Sequence, residues 1–119
     1  MPAKKYRLIT RADFDGVVSG ALLYELDMIG HVDFAEPSAM QHGRVGVTSD
    51  DITVNLPYVE SVYLSLDHHA SEIERVGERD NLVNDPKSPS AARVVYNYFG
   101  GSENFPAIST EMLDAVDQA

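Results

Sequence analysis

An α/β domain with a mainly parallel β-sheet and helices on both faces is the fold that the sequence predicts. Short apolar runs alternate with helix-patterned stretches along all 119 residues, the order that βαβ units produce. Two of the apolar runs lead directly into polar clusters, Asp13-Phe14-Asp15-Gly16 and Asp67-His68-His69. Open parallel sheets bind ligands at such carboxyl ends of strands.

The elements follow in order. Tyr6–Thr10 reads as a strand, stopped by the first polar cluster. From Val17 the pattern turns helical, with Val18, Ala21, Leu22, Leu26 and Ile29 on one broad face and Gly30 as a stop. Residues 32–35 form a second short strand closed by Glu36-Pro37, and residues 38–49 give no periodic signal. Residues 52–54 and 62–66 are the next strands, and 82–83 one more. Between them, 72–80 reads as a solvated face in which Glu72, Glu74 and Glu78 alternate with Arg75 and Arg79. A helix starts with Ser88 as cap and Pro89 in its first turn, runs to Phe99 and stops at Gly100-Gly101. A final helix begins near Ser109 with Met112, Leu113 and Val116 on one side. It has no glycine stop, which predicts a single domain over 1–119 truncated near Ala119. Tyr96, Tyr98 and Phe99 read as core and rim of their helix, and His31 and His42 as surface residues.

Composition narrows the function. A formal net charge of -10 argues against non-specific binding to duplex nucleic acid, although bound cations can reverse the field locally. The absence of cysteine excludes disulfides, thiolate zinc sites and cysteine nucleophiles. It fits a cytoplasmic protein. No apolar run approaches the roughly 20 residues of a membrane span, and the run after Lys4-Lys5 is too short for a signal peptide.

Asp13 and Asp15 are hard oxygen donors suited to magnesium or manganese, and could reach two cations roughly 3.5–4 Å apart. Asp-x-Asp-Gly also makes ordinary caps, and paired histidines also occur in solvated loops. At the end of a strand, alternation sends His68 and His69 to different faces. One can then ligate a metal while the other meets substrate, with Asp67 orienting an imidazole. Both clusters follow strands of one parallel sheet, so the fold brings them to the same edge. That joint placement favours a metal site.

The run from Ile9 through Arg11-Ala-Asp-Phe-Asp-Gly-Val-Val to Leu23, followed some fifty residues later by Leu66-Asp-His-His, resembles the DHH phosphoesterase family. The chain from Asn55-Leu-Pro-Tyr through Pro89-Ser-Ala-Ala-Arg to Ala115-Val-Asp is similar to members described as exopolyphosphatase-related. The resemblance implies a catalytic N-terminal domain using one or two manganese or magnesium ions, with a C-terminal substrate-binding domain absent from this sequence. It implies that Asp13, Asp15 and His68 bind metal, that His69 lies near the scissile phosphate, and that Asp67 supports it. Two positions depart from the pattern. Arg11 stands where many members have a metal-binding histidine, and can hold phosphate bidentately instead. Asn55 stands where many have a bridging aspartate, and offers only a neutral oxygen. Asp117 is the best match to the fourth acidic ligand, ahead of Asp114. The expected activity is metal-dependent hydrolysis of polyphosphate, pyrophosphate or a short oligonucleotide. The rival is a degenerate domain that binds phosphate or nucleotide without turnover, and a homodimer stays open.

Overall fold

The computed structural model describes residues 4–119. Five strands, β1 (Tyr6–Thr10), β2 (Ile29–Phe34), β3 (Asp51–Val54), β4 (Leu64–Asp67) and β5 (Leu82–Asn84), form one sheet in the order β2-β1-β3-β4-β5. Every pairing is parallel. The helices are α1 (Phe14–Glu25), α2 (Pro37–Gln41), α3 (Ala70–Val76), α4 (Ala91–Tyr98) and α5 (Thr110–Gln118), with a 3-10 turn at Gly101–Glu103. Among the described residues, no helix is long and apolar enough to cross a membrane.

The register separates the two faces of the sheet. Leu8 pairs with Ile52 and Ile52 with Leu64, while Val54 pairs with Leu66. These side chains share one cluster with Val18 and Leu22 of α1, Val94 and Val95 of α4, and Leu113 and Val116 of α5. Leu22 is fully buried there, so Leu22→Ala should cost about 2–5 kcal/mol. The alternate positions Ile9, Thr53 and Ser65 point to the other face. There Ile9 joins a smaller cluster with Met40 of α2 and Leu56. The expected fold class therefore holds, with a thick helical layer on one face and a thin one on the other.

Several local expectations change. Gly30 lies inside β2 rather than ending α1. The helix stops earlier, at Leu26, followed by Asp27 in the left-handed region at φ 58°. Strand β2 starts three residues before the expected 32, and α2 occupies part of the unreadable stretch. Helix α4 is capped by Ser90, not Ser88: the Ser90 hydroxyl accepts from the Arg93 amide at 3.1 Å. Residues 72–80 are not wholly a solvated face. Helix α3 occupies Ala70–Val76 and buries Glu72 to 6% exposure. Ser109 caps α5 as expected, accepting from the Met112 amide.

Candidate metal and phosphate site

The strand order reverses between β1 and β3, which makes their carboxyl ends the topological switch point where doubly wound sheets open a crevice. Arg11 and Asp13 follow β1, Asn55 follows β3, and Asp67 ends β4. A cleft of about 230 Å³ at this edge is lined by Arg11, Asp13, Asp15, Asn55, His68 and His69. Six of the expected site residues thus lie along one cleft, whereas Asp67 and Asp117 do not line it.

The turn after β1 is sterically determined. Asp13 caps α1 by accepting from the Gly16 amide at 2.8 Å. A Cβ on Gly16 would lie 1.9 Å from the Arg11 carbonyl oxygen, so only glycine permits this approach. Asp15 reaches across the chain. Its two oxygens accept from the Ala91 and Ala92 amides at 3.0 and 2.8 Å, placing a carboxylate at the positive end of α4.

Around β4 each histidine has a defined partner. The His68 Nδ1 lies 3.1 Å from the Ser88 carbonyl oxygen. A carbonyl can only accept, so Nδ1 carries the proton and Nε2 keeps its lone pair. The His69 Nδ1 lies 2.7 Å from Asp67 Oδ1, which also accepts from the His68 amide. Burial pushes the Asp67 carboxyl up from its ordinary range, and the hydrogen bonds from His69 and the His68 amide only partly offset this. The expected split of the two imidazoles does not occur. Strand β4 ends at Asp67, so alternation no longer applies, and the rings sit 4.6 Å apart with a 54° tilt. Ligand atoms of Asp67, His68 and His69 all lie within 4.8 Å of one another. Asp13 and Asp15 share the cleft but not that tight set.

Asn55 is the least ordinary residue of the edge. It is 5% exposed with a left-handed φ of 62°, and its side-chain oxygen has no hydrogen-bond partner among the described residues. A buried acceptor left unpaired costs about 1–3 kcal/mol. An unpartnered amide oxygen, a histidine with Nε2 free and nearby carboxylates together form a donor set that fits a hard divalent cation.

Arg11 lies 3.7 Å from Asp13 through Nε and makes no hydrogen bond among the described residues. Asp117 takes a different place. Ser90 Oγ donates to it at 2.7 Å, and Arg93 donates from Nε at 3.0 Å and Nη2 at 2.7 Å. It fastens α5 to α4 and does not line the cleft, although Val116 and Ala119 do. Asp114 meets the same guanidinium at 3.2 Å.

Sequence reasoning missed a second cleft, of about 170 Å³, on the thin face of the sheet. It shares Arg11, Asn55 and His69 with the first and adds Pro37, Leu56 and Ser71, among others. It also missed the clamp behind it. Glu72 accepts from the Tyr58 amide at 2.7 Å and from Arg75 at 3.0 and 2.8 Å, and Arg75 also donates to the Tyr58 carbonyl. The three-residue spacing of Glu72 and Arg75 was the one available signal.

No protein-family model matches the chain, and no curated protein matches it. Among solved structures, it is similar to a pGpG-specific phosphodiesterase, PggH, from Vibrio cholerae, at 44% identity and a TM-score of 0.88. The match covers 97% of this chain and 36% of that one. Nearly the whole of this fold, including the carboxyl edge that carries the cleft, therefore corresponds to about a third of a phosphodiesterase.

Proposed function

We propose that the chain is the metal-binding part of a DHH-type phosphodiesterase that hydrolyses a small phosphate ester. The observation that carries this reading is the meeting of Asp13, Asp15, Asn55, His68 and His69 along one cleft at the switch point. The likeness to a phosphodiesterase supports ester rather than anhydride cleavage, and moves the preferred substrate away from polyphosphate. Asp13, Asn55 and His68 would hold the cation, with Asp15 as a further donor through lone pairs that its amide partners leave open. A bound cation would supply Lewis-acid neutralisation of charge on the non-bridging oxygens.

The chain's own residues do the rest. Arg11, without a competing hydrogen bond, presents its guanidinium fork to the phosphate. Asp67 fixes His69 with the proton on Nδ1 and stabilises it when charged, so that Nε2 can pass a proton to the departing oxygen. A second domain would close the cleft, exclude water and position the ester.

The rival is a domain that binds a phosphate ligand without turnover. It is favoured by Asn55, a neutral residue where a bridging carboxylate is expected, and by the engagement of both Asp15 oxygens with α4. Incubating the chain with manganese and pGpG, pyrophosphate or polyphosphate separates the readings. Release of GMP that is lost in His69→Ala supports the hydrolase. Manganese-dependent binding of pGpG without any product, even when the second domain is supplied, supports the rival.

A further inference from the structure

We propose that the outer edge of β2 and the outer side of α1 form a docking surface for a second copy of this chain, paired strand to strand across a two-fold axis at Val32.

The backbone sets the geometry. Strand β2 ends the sheet, and among the described residues no strand pairs with its outer side. The Thr10 carbonyl takes the Ala35 amide at 2.9 Å, and alternate residues of a strand turn their polar groups to opposite sides. Asp33 therefore faces β1, whereas Val32 and Phe34 turn N–H and C=O outwards. Such groups are a template for another strand, and β2 carries no lysine or proline to deter one. With Val32 on the axis, an antiparallel copy would exchange both hydrogen bonds between the two Val32 residues.

The side chains agree with that register. His31 then lies opposite the partner's Asp33, and Asp33 opposite the partner's His31. Both sit on the thin face of the sheet, because their β1 neighbours are Arg7 and Ile9. They occupy the position without ladder bonds, where facing side chains approach most closely, and opposite charges there stabilise pairing. His31 already bonds Asp33 within its own strand, at 3.0 Å, so the two groups are complementary in chemistry. Moving the axis one residue to Asp33 would instead set two carboxylates face to face.

Helix α1 supplies the second observation. Its outer side carries Phe14, Val17, Ala21 and Tyr24 at helical spacing, all exposed, Tyr24 to 73%. A helix that is apolar all round is ordinarily covered all round. Asp15 marks the side of α1 that meets α4. Val17 and Tyr24 lie roughly opposite it around the helix, on the side of β2, where Val32 and the exposed Phe34 share the same face of the sheet. The two-fold axis puts both copies of α1 on one face of the joined sheet, so these residues meet their counterparts across the seam. A stable interface buries roughly 1,200–2,000 Å², more than two short strands supply, and α1 contributes the remainder.

Sedimentation velocity tests this on the chain without added metal, with circular dichroism to confirm that each variant folds. Wild type should dimerise in the micromolar range, and Val32→Lys should weaken the dimer at least tenfold. His31→Asp sets aspartate against aspartate and Asp33→His sets histidine against histidine, so each alone should weaken it several-fold. Mixed in equal amounts, these two variants should recover the dimer, because only the mixed pair restores histidine opposite aspartate at both positions. Monomeric wild type throughout the micromolar range, an unchanged dimer in Val32→Lys, or no recovery on mixing would each overturn the proposal.

Discussion

His68 donates through Nδ1 to the carbonyl oxygen of Ser88 at 3.1 Å, so the loop before α4 decides which nitrogen of this imidazole is available. Metal-bound histidines commonly rely on such a bond, and its loss costs about ten- to hundredfold in affinity. His68→Ala should lower manganese affinity by at least that much. Calorimetry with manganese alone checks it, and an unchanged titration would remove His68 from the donor set.

Asn55→Asp should have the opposite effect. It puts a carboxylate where a buried amide oxygen now lacks a partner. Without metal the variant should be less stable than wild type, because the new charge is buried. With manganese it should be the more strongly stabilised of the two, as ligand linkage requires. Melting curves with and without the ion read both signs. A smaller manganese shift in the variant than in wild type would contradict the assignment.

Asp15 has a structural duty that shows in the absence of any ion. Its two oxygens accept from Ala91 and Ala92. In Asp15→Asn an amide group must face one of those donors, which should cost about 1–3 kcal/mol. Urea unfolding in the presence of a chelator measures it. An unchanged midpoint would show that α4 does not depend on this cap.

The Glu72 clamp predicts a pH dependence. Burial pushes the Glu72 carboxyl up, but Arg75 and the Tyr58 amide outweigh it, so the net shift is downward. A depressed acid contributes stability above its unfolded pKa and loses it as pH falls through the folded one. The deficit of Glu72→Gln relative to wild type should therefore be present at pH 7 and shrink below about pH 4, near the ordinary glutamate value. Asp51 has the same sign: burial pushes it up, while Arg7 and the Thr48 amide pull it lower. A deficit independent of pH would mean that the charge of Glu72 is not what the clamp uses.

Gly16→Ala should be the most damaging single methyl. The added carbon would meet the Arg11 carbonyl at 1.9 Å, and backbone on both sides must move. Overpacking of this kind costs about 1–3 kcal/mol. Because Asp13 and Asp15 flank the turn, manganese affinity should fall together with stability.

Periodicity and strand-end chemistry made much of this legible. Leu22, Leu113 and Val116 could be assigned to the core because a helix repeats every 3.6 residues. Asp13 and His68 could be placed on one edge because parallel strands share a direction. The remainder depends on contacts between distant residues. Nothing local distinguishes Ser88 from Ser90 as a cap, since the choice follows from where Asp15 meets the helix. Glu72 looks like any surface acid until Tyr58, fourteen residues earlier, presents its amide. Asp117 matched by position, but Arg93 on another helix claims one of its oxygens and Ser90 the other.

The bond between Asp15 and Ala92 spans 77 residues of sequence. Contacts of such separation must overcome a large loop-closure entropy and tend to lag behind local ones during folding. Before α4 docks, Asp15 has neither of its amide partners and His68 lacks the Ser88 carbonyl. An incompletely folded chain therefore holds the right residues without their arrangement. Competence at the cleft and completion of the fold should rise together in a refolding experiment, so that manganese capture times the last docking event.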